Sequence, residues 1–148
     1  MPVMNLVSIN DWLLLAHAAM TLFMVGVIWF VQIVHYPLFH RVGEARFAEY
    51  ERQHTQRTGY VLALPMLVEF ATAAALAWRL GGRLAWSGFG LLTVIWLSTW
   101  LWQVPAHRRL ERGFDAGAFR RLVVTNWLRT VAWSARGFIA LALLVGSR

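Results

Sequence analysis

Four long apolar stretches alternate with shorter polar, arginine-containing stretches along the chain. The apolar stretches cover residues 12–34, 60–78, 85–104 and about 127–145. Each approaches the roughly 20 residues that an α-helix needs to cross a ~30 Å hydrocarbon core. Because lipid offers no hydrogen-bond partner to an open backbone, a helix is the form in which such a stretch spans a bilayer. The pattern therefore predicts an all-α, integral membrane four-helix bundle, with residues 1–148 as a single transmembrane domain.

Local signals place the ends of these helices. Asn10 or Asp11 is expected to cap a first helix that begins at Trp12, because both residue types accept hydrogen bonds from free helix N–H groups. The two glycines within residues 80–83 predict a short hairpin turn between the second and third spans.

The polar stretches also carry helical periodicity. Phe47, Tyr50 and His54 fall on one helical face in the first stretch, and Phe119 and Leu122 do so in the second. We therefore expect each stretch to form an amphipathic helix at the membrane interface that leads into the following span.

The two halves of the chain share a pattern. The first half has F-x-x-Y-x-x-x-H-x-x-R-T from residue 47, and the second has F-x-x-L-x-x-x-N-x-x-R-T from residue 119. Upstream, W-x-x-Q begins at residue 29 and again at residue 100. This favours two tandem helical-hairpin repeats, repeat 1 at about 12–80 and repeat 2 at about 85–146; the alternative is chance similarity of two amphipathic segments. Duplication predicts that matching polar residues meet at one end of the bundle.

Composition separates this chain from soluble enzymes. Hydrophobic residues make up 59% and charged residues 14%, against roughly 45–50% and about 25% in an average soluble domain. The chain has no cysteine, which excludes disulfides, thiolate nucleophiles and cysteine-ligated metals.

Arginine placement predicts an orientation. The net charge is +7 and every basic side chain other than histidine is arginine. Most arginines lie after the first and third spans: Arg41, Arg46, Arg52, Arg57, Arg108, Arg109, Arg112, Arg120, Arg121 and Arg129. The opposite side has only Arg79, Arg83 and Arg148. The positive-inside rule then places both long connections in the cytoplasm and both termini outside. Membrane lipid is the expected partner and nucleic acid is not, because no nucleic-acid-binding motif can be recognised.

Six polar residues are expected to converge at the cytoplasmic end of the bundle. They are Gln32, His35, His54, Gln103, His107 and Asn126. Three imidazoles with an open position form a known catalytic metal arrangement, so His35, His54 and His107 are candidate ligands for iron, copper or zinc. Gln32, Gln103 and Arg57 are assigned to cofactor binding. The alternative is that these histidines face lipid headgroups or bond to loop carbonyls.

Two opposite charges fall near the middle of their spans. Glu69 has nine residues of its span on either side, and about ten apolar residues follow Arg136. Because an isolated charge at that depth costs at least ~2.5–3.5 kcal/mol, we expect Glu69 and Arg136 to pair. Arg129 lies two turns earlier on the same helical face as Arg136, and the line of guanidinium groups would hold an anionic or enolic ligand. The alternative is an ion pair that only fixes helix packing.

Five tryptophans in the inner half of the bundle are candidates to wall an aromatic pocket. They are Trp29, Trp100, Trp102, Trp127 and Trp133. Contact with lipid or with the protein core is the commoner role of such residues.

Two short motifs resemble the anthrone-oxygenase-like family of small bacterial four-helix membrane proteins. They are Q-V-P-x-H from Gln103 to His107 and T-N-W-x-R-T from Thr125 to Thr130. The resemblance implies a multi-pass protein of the bacterial inner membrane and, as for some members, oxidation of polycyclic phenolic substrates with oxygen. It carries over to Asn126 and Arg129 alone.

Together these observations favour a membrane-embedded oxidoreductase or oxygenase acting on an apolar small molecule. His35, His54 and His107 would bind a metal or transfer protons, and Glu69, paired with Arg136, would relay them. Asn126, Arg129 and Gln103 would hold a substrate oxygen. The alternative is a non-catalytic subunit or a lipid- or ligand-binding component of a membrane complex, with a small transporter ranked last. The chain is expected to act as a homo-oligomer or as such a subunit.

Overall fold

Four helices make up the part of the protein that the structure describes. The structure, a computed structural model, describes residues 8–146. Helix α1 spans Ile9–Arg41, α2 Glu44–Leu80, α3 Arg83–Leu110 and α4 Ala116–Gly146, and this part of the chain contains no strand. Each helix is long and apolar enough to cross a membrane. The all-α prediction with four candidate membrane spans is confirmed.

The helix ends differ from the predicted ends at one place and match at another. Helix α1 begins at Ile9 because Ser8 caps it: Ser8 Oγ accepts from Asp11 N–H and Asp11 Oδ2 accepts from Ser8 N–H, at 3.2 and 2.7 Å. The predicted cap at Asn10 or Asp11 is therefore wrong, since Asp11 is the third residue of the helix. The predicted turn at residues 80–83 is present, with Gly81 in the left-handed region at φ 64°.

The segments predicted to lie at the interface are continuous with the spans that follow them. Residues 47–58 belong to the 37-residue α2, and residues 119–130 belong to the 31-residue α4. Neither segment is set apart as a helix of its own. Both polar segments therefore extend the helices of the bundle beyond their apolar stretches.

Helices α1 and α3 each contain a short π-helical turn. The turns are Val31–His35 and Thr99–Gln103, and Pro37 and Pro105 follow each at the same interval. A proline ring clashes with the carbonyl four residues earlier, and the wider π turn accommodates it without ending the helix. Such turns are frequent at functional sites, and here they carry Gln32, His35 and Gln103.

The helices form a ring around one axis. Helix α1 packs against α2 and α4, and α3 packs against α2 and α4, so α2 faces α4 across the axis. We call the end where α1 and α3 finish and α2 and α4 begin the arginine-rich end. Its interior is an aromatic and aliphatic core that includes Phe39, Phe47, Leu110, Phe119 and Leu122, each at most 7% exposed.

Asp115 closes the connection from α3 to α4. Its Oδ1 accepts from Ala118 N–H at 2.7 Å and its Oδ2 accepts from Arg109 Nε at 2.7 Å. The backbone hydrogen bond from Ala118 and then the bond from Arg109 hold the pKa of Asp115 below its usual value. This cap fixes the start of α4 beside the end of α3.

The outer surface of the bundle is apolar between its ends. Large hydrophobic side chains are exposed on all four helices, and the most exposed is Trp78 at 83%. An exposed apolar surface of this extent is expected of a protein that contacts lipid.

Candidate ligand-binding site

A cavity of about 640 Å³ lies inside the bundle near the arginine-rich end. Towards the middle of the bundle its wall is apolar and is formed by Met24, Val27, Ile28, Leu62, Met66 and Trp133. Towards the arginine-rich end its wall is polar and includes Tyr36, His54, Thr58, Gln103, His107 and Arg129, together with Thr55, Arg108 and Glu111. An apolar body with a few convergent polar groups is the usual character of a small-molecule site.

A chain of hydrogen bonds from α1 to α4 positions the buried guanidinium of Arg129. Gln32 Oε1 accepts from Asn126 Nδ2 at 2.8 Å, and Asn126 Oδ1 accepts from Arg129 Nη1 at 2.9 Å. Arg129 is only 8% exposed, and its guanidinium lies 5.1 Å from the ring centroid of Trp133. This network joins Gln32, Asn126 and Arg129.

Among the residues that the structure describes, Arg129 lacks the acidic partner that a buried cation ordinarily has. Within residues 8–146 no carboxylate lies within ion-pair distance of it, and its buried Nε has no hydrogen-bond partner. An uncompensated buried charge is costly. The cavity therefore offers an anionic oxygen a preformed cationic site.

His107 is held between a buried carboxylate and a phenol. Its Nδ1 lies 2.5 Å from Glu51 Oε1, and its Nε2 lies 3.4 Å from the Tyr36 hydroxyl. Tyr36 in turn donates to Gln103 Oε1 at 3.5 Å, and Gln103 Nε2 donates to Thr125 Oγ1 at 2.7 Å. A carboxylate bonded to one ring nitrogen fixes the orientation of an imidazole and stabilises its protonated form.

Sequence reasoning missed Glu51 and Tyr36. Glu51 is completely buried, although it lies in a stretch rich in charged residues. The available signal was its spacing, because Glu51 lies four residues after Phe47 and three before His54 on one helical face.

His35 and His54 contact each other directly. His35 Nε2 lies 2.9 Å from His54 Nδ1, and Thr58 Oγ1 lies 3.2 Å from the same nitrogen. The ring of His54 is 5.6 Å from that of His107, centroid to centroid. All six polar residues that were predicted to converge thus lie in one connected zone.

The three histidines are not arranged as a metal site. His35 bonds to His54, His107 bonds to Glu51 and Tyr36, and no group of three or more metal-ligating side chains in residues 8–146 is placed to hold an ion. The prediction of iron, copper or zinc at His35, His54 and His107 gains no support from this geometry.

Glu69 and Arg136 form the predicted pair across the bundle axis. Both are at most 1% exposed, and Arg136 Nη2 donates to Glu69 Oε1 at 2.9 Å. Arg136 Nη1 also donates to the carbonyl of Gly88. Trp133 Nε1 donates to Glu69 Oε2 at 3.1 Å, so the tryptophan whose ring lies against Arg129 is hydrogen-bonded to this pair. Neither charged residue lines the cavity. The pair would therefore not contact a ligand bound there.

Arg57 does not join the site. It is exposed on α2 and is not among the residues that line the cavity with Gln103.

Of the five tryptophans proposed as a pocket wall, Trp100 and Trp133 line the cavity. Trp29 and Trp127 instead pack edge to face, with centroids 5.8 Å apart. The buried His17 contacts Thr72 Oγ1 at 3.1 Å, away from the cavity.

Comparison of the chain with known protein families, with characterised proteins and with solved structures finds no match.

Proposed function

We propose that this protein is a membrane-embedded oxidoreductase whose substrate is an apolar phenol or enol bound in the cavity. The observation that carries the proposal is Arg129, a buried cation without an acidic partner in the described part of the chain that lines a largely apolar cavity. A phenolate or enolate oxygen would provide the missing negative charge, and the apolar wall would hold the rings.

The neighbouring side chains suit proton transfer. In the proposed mechanism His107 accepts the substrate proton, while Glu51 orients the imidazole and stabilises its protonated form. Arg129, held by Asn126, stabilises the oxygen anion as charge develops on it. The electron-rich anion then reduces dioxygen, the second substrate. If anthrone is the substrate, the overall reaction converts one anthrone and one dioxygen into one anthraquinone and one water.

The proposed membrane arrangement follows from the arginines. Exposed arginines surround the arginine-rich end, while Arg79 and Arg83 lie at the other; Arg148 lies outside the described residues. We infer that the arginine-rich end faces the cytoplasm of a bacterial cell, with both termini outside. The first residues of α2 and α4 would then lie at the membrane interface.

The proposed internal duplication has structural support. Phe47 and Phe119 lie in the same core, and the two π turns precede prolines at the same interval. Gln32 Nε2 donates to Val123 O at 3.4 Å, and Gln103 Nε2 donates to the adjacent Leu122 O at 3.5 Å. Matching glutamines thus approach one place on α4, near the axis of the bundle.

Replacing Arg129 tests the proposed function. In detergent-purified Arg129→Gln, equilibrium dialysis should show that the affinity for β-naphtholate falls by about 30-fold or more, because losing one partner of a buried charge pair costs about 2–5 kcal/mol. β-Naphthol is chosen as an apolar phenol that absorbs beyond the tryptophan band.

The matched control is Arg121→Gln, which removes an exposed arginine two turns earlier on the same helix and should leave affinity unchanged. Equal losses in both variants would contradict the proposal. Binding that depends on Arg129 without anthrone-dependent oxygen consumption would favour a ligand-binding component instead of an enzyme.

A further inference from the structure

The cavity reaches the surface between α2 and α3. Gly59 and Ala63 on α2, and Trp100 on α3, line the cavity and are also exposed, with Trp100 at 62%. No other pair of neighbouring helices contributes exposed lining residues from both sides within residues 8–146. We call this opening, formed by Gly59, Ala63 and Trp100, the lateral mouth.

The surroundings of the lateral mouth are apolar. The exposed side chains next to it on α2 and α3 are Tyr60, Leu64, Leu97 and Leu101, between 55% and 74% exposed. The apolar spans predicted from the sequence begin at residue 60 on α2 and end at residue 104 on α3. The mouth therefore opens at the edge of the hydrocarbon layer, where lipid tails contact the protein.

A polar contact lies at the end of the cavity that is nearer the arginine-rich end. Thr55 Oγ1 on α2 donates to Glu111 Oε1, just beyond α3, at 2.8 Å, and both residues line the cavity. The exposed Arg108 also lines the cavity at this end, so a molecule arriving from water meets charged and polar side chains. A molecule dissolved in the bilayer meets mainly apolar side chains and the small residues Gly59 and Ala63.

We propose that the ligand enters sideways from the bilayer through the lateral mouth and is a phenol that carries a long alkyl or prenyl chain. The inference rests on the proposed function, since the phenolic oxygen is the group that Arg129 binds. The ring lies in the apolar part of the cavity, and the chain extends through the mouth into lipid. A chain-bearing phenol also partitions into the membrane, which concentrates it where the mouth opens.

Gly59 gives a direct way to obstruct the lateral mouth. A Cβ atom at Gly59 would meet no heavy atom within 4 Å, so a side chain can start there without a clash at its Cβ. Glycine is also a poor helix former, and its replacement should not lower stability. Gly90 on α3 is the matched control, because it is exposed, a Cβ there also meets nothing within 4 Å, and it does not line the cavity.

The experiment compares Gly59→Trp, Gly90→Trp and the unaltered protein in lipid nanodiscs. The probes are β-naphthol and β-naphthol bearing a dodecyl chain, with thermal unfolding as the check on folding. We expect Gly59→Trp to lower the affinity for the dodecyl compound by about ten-fold or more, a difference of about 1.4 kcal/mol. Its affinity for β-naphthol should change far less, and Gly90→Trp should bind both probes normally.

Other results would overturn the inference in distinguishable ways. If Gly59→Trp binds the dodecyl compound as tightly as the unaltered protein, the lateral mouth is not the route, while the Arg129 result stands. If dodecanoate displaces the dodecyl compound at lower concentration than a chain-bearing phenol does, the occupant is a fatty acid. If the unaltered protein binds neither naphthol, the proposed function itself fails.

Discussion

Glu69→Gln and Arg136→Gln should each lower the free energy of unfolding by about 3–5 kcal/mol. The double variant should lose less free energy of unfolding than the sum of the two single losses. Each single change leaves one charge buried without its partner, since both side chains are at most 1% exposed and bond to each other at 2.9 Å. The double variant removes both charges and keeps hydrogen-bonding amides. Thermal or denaturant unfolding in detergent measures the coupling.

The exposed pair Glu49–Arg52 is the control for this cycle. It has the same charges at 2.5 Å on the surface of α2, where water screens the interaction. Replacing both residues by glutamine should show almost no coupling. Additive losses at Glu69 and Arg136 would contradict the assignment of a buried ion pair between them.

Replacing His107 by glutamine should lower anthrone-dependent oxygen consumption by about 10²–10⁴-fold, the usual contribution of a positioned acid–base group. Glutamine retains polar atoms near Tyr36 but cannot take up the substrate proton. Glu51→Gln should also lower the rate, because the amide no longer stabilises a protonated imidazole. An oxygen electrode measures the rate, and β-naphthol binding shows whether the cavity is intact.

The control for this prediction is His40→Gln. His40 is exposed at the same end of the bundle, where its ring packs on the edge of Phe119 with centroids 4.3 Å apart. Its replacement should leave oxygen consumption unchanged. A His107→Gln protein that retains the full rate would remove His107 from the mechanism.

The membrane spans and the buried ion pair were predictable because each rests on a strong physical constraint. An apolar stretch of about 20 residues has few alternatives to a membrane helix. Glu69 and Arg136 were the two opposite charges at similar depth in such stretches, and the cost of leaving them apart is large. The same argument could not show that Trp133 would link this pair to Arg129.

The exposure of Arg57 shows a limit of repeat-based reasoning. Arg57 and Arg129 hold matching positions in the two halves, yet Arg57 is exposed and Arg129 is buried. The matched residues Phe47 and Phe119 nevertheless lie in one core, so the two halves differ at this position and not along the whole helical face. A local difference of this kind depends on packing between helices, which the spacing of the residues does not encode.

Glu51 shows a second limit. Its position among charged residues, between Glu49 and Arg52, is typical of a solvated helix face. Only the fold places His107 of α3 against it. Long-range pairing of this kind depends on how α2 and α3 meet, which local periodicity does not determine.

The absorption spectrum of β-naphthol bound to the protein tests the central claim most directly. At a pH where free β-naphthol in the same detergent is protonated, we expect the bound molecule to show the naphtholate band, because Arg129 supplies a buried positive charge next to its oxygen. In Arg129→Gln that band should be absent, and in Arg121→Gln it should persist. Bound β-naphthol that stays protonated in the unaltered protein would contradict the claim that the cavity binds an oxygen anion.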